Sequence, residues 1–148
     1  MRRFSWRLQR VLDVKKKEEH KVRSELFELT QRLARMRSEL LRQHKILEQI
    51  INGLSYDNPG KLLGEQELFL RHSVTIDNQI KKLKETIGQL ETQQKDKISE
   101  LLKVRKFKEG LERLRVEAKM QYMKEQSKIE QKKLDEAASI AFVRKVRN

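Results

Sequence analysis

"NGLSYDNPGK", residues 52–61, holds the only proline of the chain and two of its five glycines. Tight turns draw on those residue types, so a chain this poor in them has one obvious place to reverse direction. Gly53 suits a helix end in the left-handed conformation, and Asn58-Pro59-Gly60 suits a tight turn or an N-cap followed by proline at the first helical position. The stretch therefore predicts a hairpin tip, with the loop over about 53–60, helix one over about 5–53 and helix two over about 61–146.

An apolar repeat runs outward from the tip on either side. Steps of four and three residues from Leu8 land on Leu12, Lys15, Glu19, Val22, Leu26, Leu29, Leu33, Met36, Leu40, Gln43, Leu47, Ile50 and Leu54, and eleven of these fourteen positions are apolar. A second walk runs Ile76, Ile80, Leu83, Ile87, Leu90, Gln94, Lys97, Leu101 and Val104. Repeats held this long are the mark of a coiled coil, in which each apolar side chain seats between four residues of a facing helix. Past Val104 the apolar residues Phe107, Leu111, Leu114 and Ala118 continue after an extra three-residue step, a stammer that predicts local overwinding.

Folding back about Asn58 sets Leu12 against Val104, Leu26 against Leu90, Leu33 against Leu83 and Leu40 against Ile76, so seam meets seam. The predicted fold is all-α, a long two-helix antiparallel coiled-coil hairpin with a C-terminal helical overhang. The same register brings Glu19 opposite Lys97, with Lys15 and Gln94 nearby. That polar level reads either as a pin for the register or as a soft point that opens in function.

The two arms are unequal. At 1.5 Å per residue, helices of roughly 50 and 80 residues span about 75 and 120 Å, so residues from about 113 to 148 overhang. This overhang still carries Tyr122, Met123, Ile129, Leu134, Ala138, Ile140, Phe142 and Val143, and either frays or docks into a partner. Off-seam apolar residues also gather near the tip: Leu41, Ile46, Ile51, Leu63, Leu68, Leu70 and Val74. A two-helix hairpin has no second layer to cover them, which leaves local wrapping or an exposed docking patch.

Composition narrows the function classes. With 36% hydrophobic and 39% charged residues, the chain affords a narrow apolar seam and no broad core. The formal net charge of +13 sits almost wholly at the termini, with +6 over residues 1–24 and +5 over residues 113–148. Without cysteine, disulfide and thiolate chemistry are excluded. No apolar run approaches the roughly 18 residues of a membrane span. Glycine-rich phosphate loops, nucleophile elbows and metal-ligand spacings are missing, and His20, His44 and His72 lie far apart on a rod without a pocket to gather them. The reading is of a non-enzymatic protein without a cofactor.

The opening stretch, Phe4 to Lys17, places the only tryptophan among basic residues, with no acid before Asp13. It resembles a transit peptide, yet the heptad runs unbroken from Leu8, which favours a structural role. On a helical wheel Leu8, Val11 and Leu12 share a face and Trp6 points nearly opposite, the wrong side for a membrane-surface helix. Basic termini also permit nonspecific phosphate binding, so a coiled-coil nucleic-acid binder stays open.

Phe4-x-Trp6-x-Leu8-x-x-Val11-Leu12 followed by a Lys/Glu-rich helix resembles the N-terminal pattern of the FliJ family, the small coiled-coil component of the bacterial flagellar type III export apparatus. Leu134-Asp135-Glu136-Ala137-Ala138, with Phe142 behind, is similar to that family's C-terminal segment. Stalk proteins of injectisome secretion systems share the layout and are the alternative. The resemblance implies a shaft like that of rotary ATPases, whose terminal end enters the hexameric ring of the export ATPase FliI. It further implies contact with the export gate protein FlhA, an escort role for substrate chaperones, and a cytoplasmic position at the inner-membrane export apparatus without insertion. Carried onto this sequence, Phe4, Trp6, Arg7, Leu8, Arg10, Val11 and Leu12 with Leu134, Asp135, Glu136, Ala138 and Phe142 belong to the ATPase end. The gate contact falls on the tip residues Leu41, Ile51, Leu63, Leu68, Leu70 and Val74.

Overall fold

In a computed structural model of the chain, the backbone of residues 3–53 and 59–147 is described, together with their side chains apart from those of 59–63 and 65. Asn58, Leu54 and the Leu63 side chain therefore lie outside the described residues. Two helices account for nearly everything else, α1 (Gln9–Asn52) and α2 (Pro59–Arg147), with no strand among the described residues. Their sequences are dominated by Leu, Lys, Glu, Gln and Arg, residues that lose little side-chain freedom in a helix. Ion pairs one turn apart add a few tenths of a kcal/mol each, among them Lys15–Glu18 and Arg42–Glu39.

The chain divides into two compact units, one made of residues 1–19 and 103–148, the other of residues 20–102. In the second unit a segment of α1 runs antiparallel to a segment of α2. Lys97 donates to Glu25, Gln94 Nε2 donates to Thr30 Oγ1 at 3.2 Å, and Arg37 Nη2 donates to Glu91 Oε1 at 3.0 Å. Leu33, Ile87 and Leu90 form its core cluster, with Leu29, Met36 and Leu40 packed around it. In the first unit the same antiparallel order recurs: Arg105 and Lys108 pair with Glu19, Arg115 Nε donates to Gln9 Oε1 at 2.8 Å, and the Phe4 and Tyr122 rings meet with centroids 5.5 Å apart. The fold is the all-α, antiparallel arrangement that the heptads predict.

Burial follows those heptads closely. Every described position of the first walk, from Leu8 to Ile50, is buried or half-buried, and so is every position of the second walk from Ile76 to Val104. The buried apolar residues are Leu12, Val22, Leu33, Ile76, Ile80, Ile87, Leu90, Leu101, Val104 and Leu111, all of them on the seam.

The register differs from the expected one by a full heptad. In the second unit Leu33 clusters with Leu90, seven residues beyond its expected partner Leu83. The numbers of contacting residues add to 122 for Lys97 and Glu25 and to 124 for Gln94 and Thr30, where a turn centred on Asn58 gives about 116. In the first unit Gln9 and Arg115 add to 124 in the same way. A shift of seven places seam on seam again, so apolar matching cannot choose between the two registers. Charge can: the expected register sets Glu25 directly against Glu91, whereas in the structure each finds a cation, Lys97 and Arg37. Consequently Glu19 does not face Lys97, and the expected cluster of Glu19, Lys97, Lys15 and Gln94 at one level does not form.

Three further expectations are corrected. The seam past Val104 contains no stammer: it continues in unbroken steps through Lys108, Leu111, Arg115, Ala118 and Tyr122, all buried or half-buried, while Phe107 and Leu114 are exposed. Two basic residues disguised the heptad, and they are accepted because acidic or polar partners on α1 satisfy them. Pairing in the first unit therefore reaches Tyr122, and the stretch in which every described residue is exposed starts at residue 127, later than about 113. Gly53 is not left-handed either. Its N–H closes a last turn on the Gln49 carbonyl at 2.8 Å, and no described glycine has a positive φ. Pro59 does open α2, as expected of proline at a first helical position.

Candidate partner-binding surfaces

The N-terminal residues of the first unit are held before α1 begins. Helix one starts at Gln9, some four residues later than expected, with the Gln9 N–H on the Trp6 carbonyl at 3.1 Å and the Leu12 N–H on that of Leu8 at 3.0 Å. Trp6 thus precedes the helix, so a helical wheel does not describe its direction, and it is half-buried instead of pointing wholly away. Phe4 is clamped between Tyr122 and Arg115, whose guanidinium carbon stands 5.7 Å from its ring centre. Cation–ring and ring–ring contacts of this kind contribute about 1 kcal/mol each. Phe4, Trp6 and Leu8 are half-buried, Arg7, Arg10 and Val11 exposed. Leu12, at 1% exposure, is a seam residue with no surface left for a partner.

Leu134, Asp135, Glu136, Ala138 and Phe142 are all exposed on the last turns of α2. Leu134, Ala138 and Phe142 follow one another at four-residue spacing and share a face, whereas Glu136 lies two residues from Leu134 and points elsewhere. Phe4 meets α2 at Tyr122. At 1.5 Å per residue Leu134 and Phe142 lie about 18 and 30 Å farther along that helix. The structure therefore separates the two halves of the expected ATPase-end set. Basic residues, Arg144, Lys145 and Arg147, close the helix and complement the negative end of its dipole.

Farther back along the first unit, at Arg105 and Lys108 of α2, a buried carboxylate interrupts the apolar seam. Glu19 is 6% exposed; its Oε2 takes Lys108 Nζ at 2.6 Å and its Oε1 takes Arg105 Nε at 3.4 Å. A carboxylate this deep needs such partners to offset its desolvation.

At the tip end of the second unit, Leu41, Ile51, Leu68, Leu70 and Val74 are exposed, so the described members of the expected gate patch do not wrap inward. The register accounts for part of this: α1 stops at Asn52, and the first turns of α2 have no residue of α1 to face. A groove of about 550 Å³ lies between Ile50 and Gly53 on one side and Leu68, Phe69, His72 and Thr75 on the other, with Arg71 at its edge. Among the described residues, Leu68 is the single expected gate residue that lines it. Phe69 was missed by the sequence reading, although the signal was there: stepping back from Ile76 by three and four gives Ser73 and Phe69, both half-buried.

Among the described residues, the resolved charge shifts belong to surface pairs. The Lys97 ammonium, hydrogen-bonded to Glu25, holds that carboxyl below its usual range, and donating that bond to the Glu25 carboxylate in turn raises Lys97. Arg42, with help from Gln43, lowers Glu39 in the same manner. Glu25 and Lys97 line a shallow surface groove of about 390 Å³ with Glu28, Leu29, Gln31, Arg32 and Arg35. No group of metal-binding side chains occurs among the described residues, and none of the described helices is long and apolar enough to cross a membrane.

In the first unit an apolar seam with a buried charge and an exposed helical extension, and in the second a seam with a grooved apolar tip, suit a protein that binds other proteins. The family model described as "Flagellar FliJ protein" matches residues 4–147. The chain belongs to the FliJ family. Curated proteins and solved structures give no significant match. Membership ties this FliJ-family chain to flagellar protein export, the type III secretion route, as a non-enzymatic, stalk-related coiled-coil component that interacts with the export apparatus.

Proposed function

We propose that this chain is the stalk and regulator of the flagellar export ATPase, joining the FliI ring to the export gate protein FlhA and escorting substrate chaperones from the cytoplasmic side. The observation that carries the reading is the last part of α2. From residue 127 onward every described side chain is exposed, yet the segment keeps Ile129, Leu134, Ile140, Phe142, Val143 and Val146. A lone helix gains little from such residues in water, whereas the inside of a ring offers a surface to bury them. Its basic end steers it toward an acidic partner. Phe4, Trp6 and the Arg7 and Arg10 side chains form the shoulder of the inserted end, while Leu68, Leu70 and Val74, with the groove beside them, meet the gate.

The test is ATP hydrolysis by purified FliI with and without the chain. Among the described residues, deleting 128–148 removes no half-buried side chain, so the helical pairing should survive while stimulation is lost. Changing Trp6 and Phe142 to Ala should lower stimulation at least tenfold. Changing Leu68, Leu70 and Val74 to Ser should leave stimulation intact and abolish binding to FlhA. Undiminished stimulation by the truncated chain would end the stalk reading.

A further inference from the structure

On α2 of the first unit, away from the seam, Phe107 and Leu114 stand one heptad apart and leave 53% and 50% of their surfaces exposed. Gly110 lies between them. Glycine inside a helix costs about 1 kcal/mol relative to alanine, so it calls for a reason. Nothing among the described residues supplies one, because a Cβ built at Gly110 meets no atom within 4 Å. What the missing side chain leaves is a groove of about 540 Å³, lined by Lys103, Lys106, Phe107, Gly110, Leu111 and Leu114. Leu111, a seam residue, is buried and forms its floor.

The row Lys103, Phe107, Gly110, Leu114 has the four-three-four spacing of a second heptad stripe, displaced from the one that packs on α1. Such a stripe with a glycine at its centre accepts the knobs of another helix at close range. Its chemistry is one-sided: two lysines line the groove and no acid does. Lys103 and Lys106 have no ion-pair partner among the described residues, although most seam-edge cations of this unit are paired. Lys15 closes one edge, its Nζ 4.9 Å from the centre of the Phe107 ring.

We propose that this groove is a docking site for an acidic amphipathic helix of another protein. Its apolar residues seat on Phe107, Gly110 and Leu114, and its carboxylates meet Lys103 and Lys106. A second copy of this chain is a poor occupant, since its ends are strongly basic and its middle offers no net acidic segment to the same lysines, residues 25–60 being neutral and 61–112 carrying +2. The site is distinct from the helix end and the tip used by the stalk reading and stands without that reading.

The probe is a labelled synthetic helix of about 20 residues with leucine at heptad core positions and glutamate beside them, titrated against the full chain by fluorescence anisotropy. Binding in the micromolar range is expected, weakened several-fold by raising salt from 0.05 to 0.5 M. The same peptide with lysine in place of glutamate should bind at least tenfold more weakly. Gly110→Leu should fold at least as well as the parent on circular dichroism, since it enters open space and removes a helix-weakening residue, and should lower affinity at least tenfold. Leu114→Ser should do the same without adding bulk. Equal binding of the two peptides, or affinity unchanged by Gly110→Leu, overturns the proposal. So does a dimer in analytical ultracentrifugation that Gly110→Leu dissociates, which would make the occupant a second copy, or duplex-DNA binding lost on the same substitutions, which would make it a nucleic acid.

Discussion

Replacing Glu19 with Ala probes how a charge is tolerated inside the seam. At an effective dielectric near 20, two unit charges about 4 Å apart attract by about 4 kcal/mol, most of which is spent on desolvating the carboxylate. Removing one member of a fully buried pair costs about 3–5 kcal/mol, because the other is stranded. Here the stranded groups have a way out, since the side chains of Lys108 and Arg105 are 21% and 40% exposed and can turn toward water. The expected loss is therefore about 2 kcal/mol, or a fall in Tm of about 4–8 °C for a chain of this size. Glu19→Leu should recover most of it, because a leucine restores seam volume and needs no partner. The assay is thermal and urea unfolding followed at 222 nm, with Lys108→Ala completing a double-mutant cycle in which a coupling of about 1–2 kcal/mol is expected. A Glu19→Ala variant that melts within about 1 °C of the parent, or a coupling below about 0.3 kcal/mol, would refute the view that this buried pair is a stabilising contact.

The register itself is open to covalent test, because the chain has no cysteine of its own. A Leu33→Cys, Leu90→Cys pair should form an intramolecular disulfide on mild oxidation, while Leu33→Cys with Leu83→Cys should not; the opposite preference on non-reducing gels would restore a turn centred on Asn58. The Glu25–Lys97 pair predicts a pH profile for unfolding. Glu25 has a lowered pKa in the folded chain, mainly through the hydrogen bond from Lys97, so its contribution is present at neutral pH and lost as pH falls through that lowered value. Lys97 is raised, chiefly by Glu25, so its contribution is complete below the ordinary lysine range and lost as pH rises through the raised value. The urea midpoint of the parent should drop more on acidification than that of Glu25→Gln, and parallel acid limbs for the two would count against the pair.

Much of this molecule is written in local pattern. Leu12, Leu33, Ile87 and Leu90 are buried where the four-three walk puts them, because a side chain's face on a helix depends only on its number modulo the heptad. Pro59 opens α2 for a reason equally local, its fixed φ and missing N–H. The exposed tip and the exposed terminal turns of α2 were legible as an excess of apolar residues over what two helices can cover. The groove at Gly110 was not, since it is defined by what Phe107 and Leu114 fail to touch. Nor was the continuation of the seam through Lys108 and Arg115, whose charges argue against burial until Glu19 and Gln9 are placed beside them.

Sequence alone therefore determined the helices, their antiparallel course and the buried face of each, because these follow from periodicities of a few residues. Only the tertiary structure decided which heptad faces which. Slipping one helix by seven residues puts seam on seam again, even though it trades Leu90 for Lys97 as the residue opposite Leu26, so the heptad period does not choose and the charges flanking the seam take part in the choice. It separates Glu25 from Glu91, gives each a cation, and so sets Leu33 on Leu90.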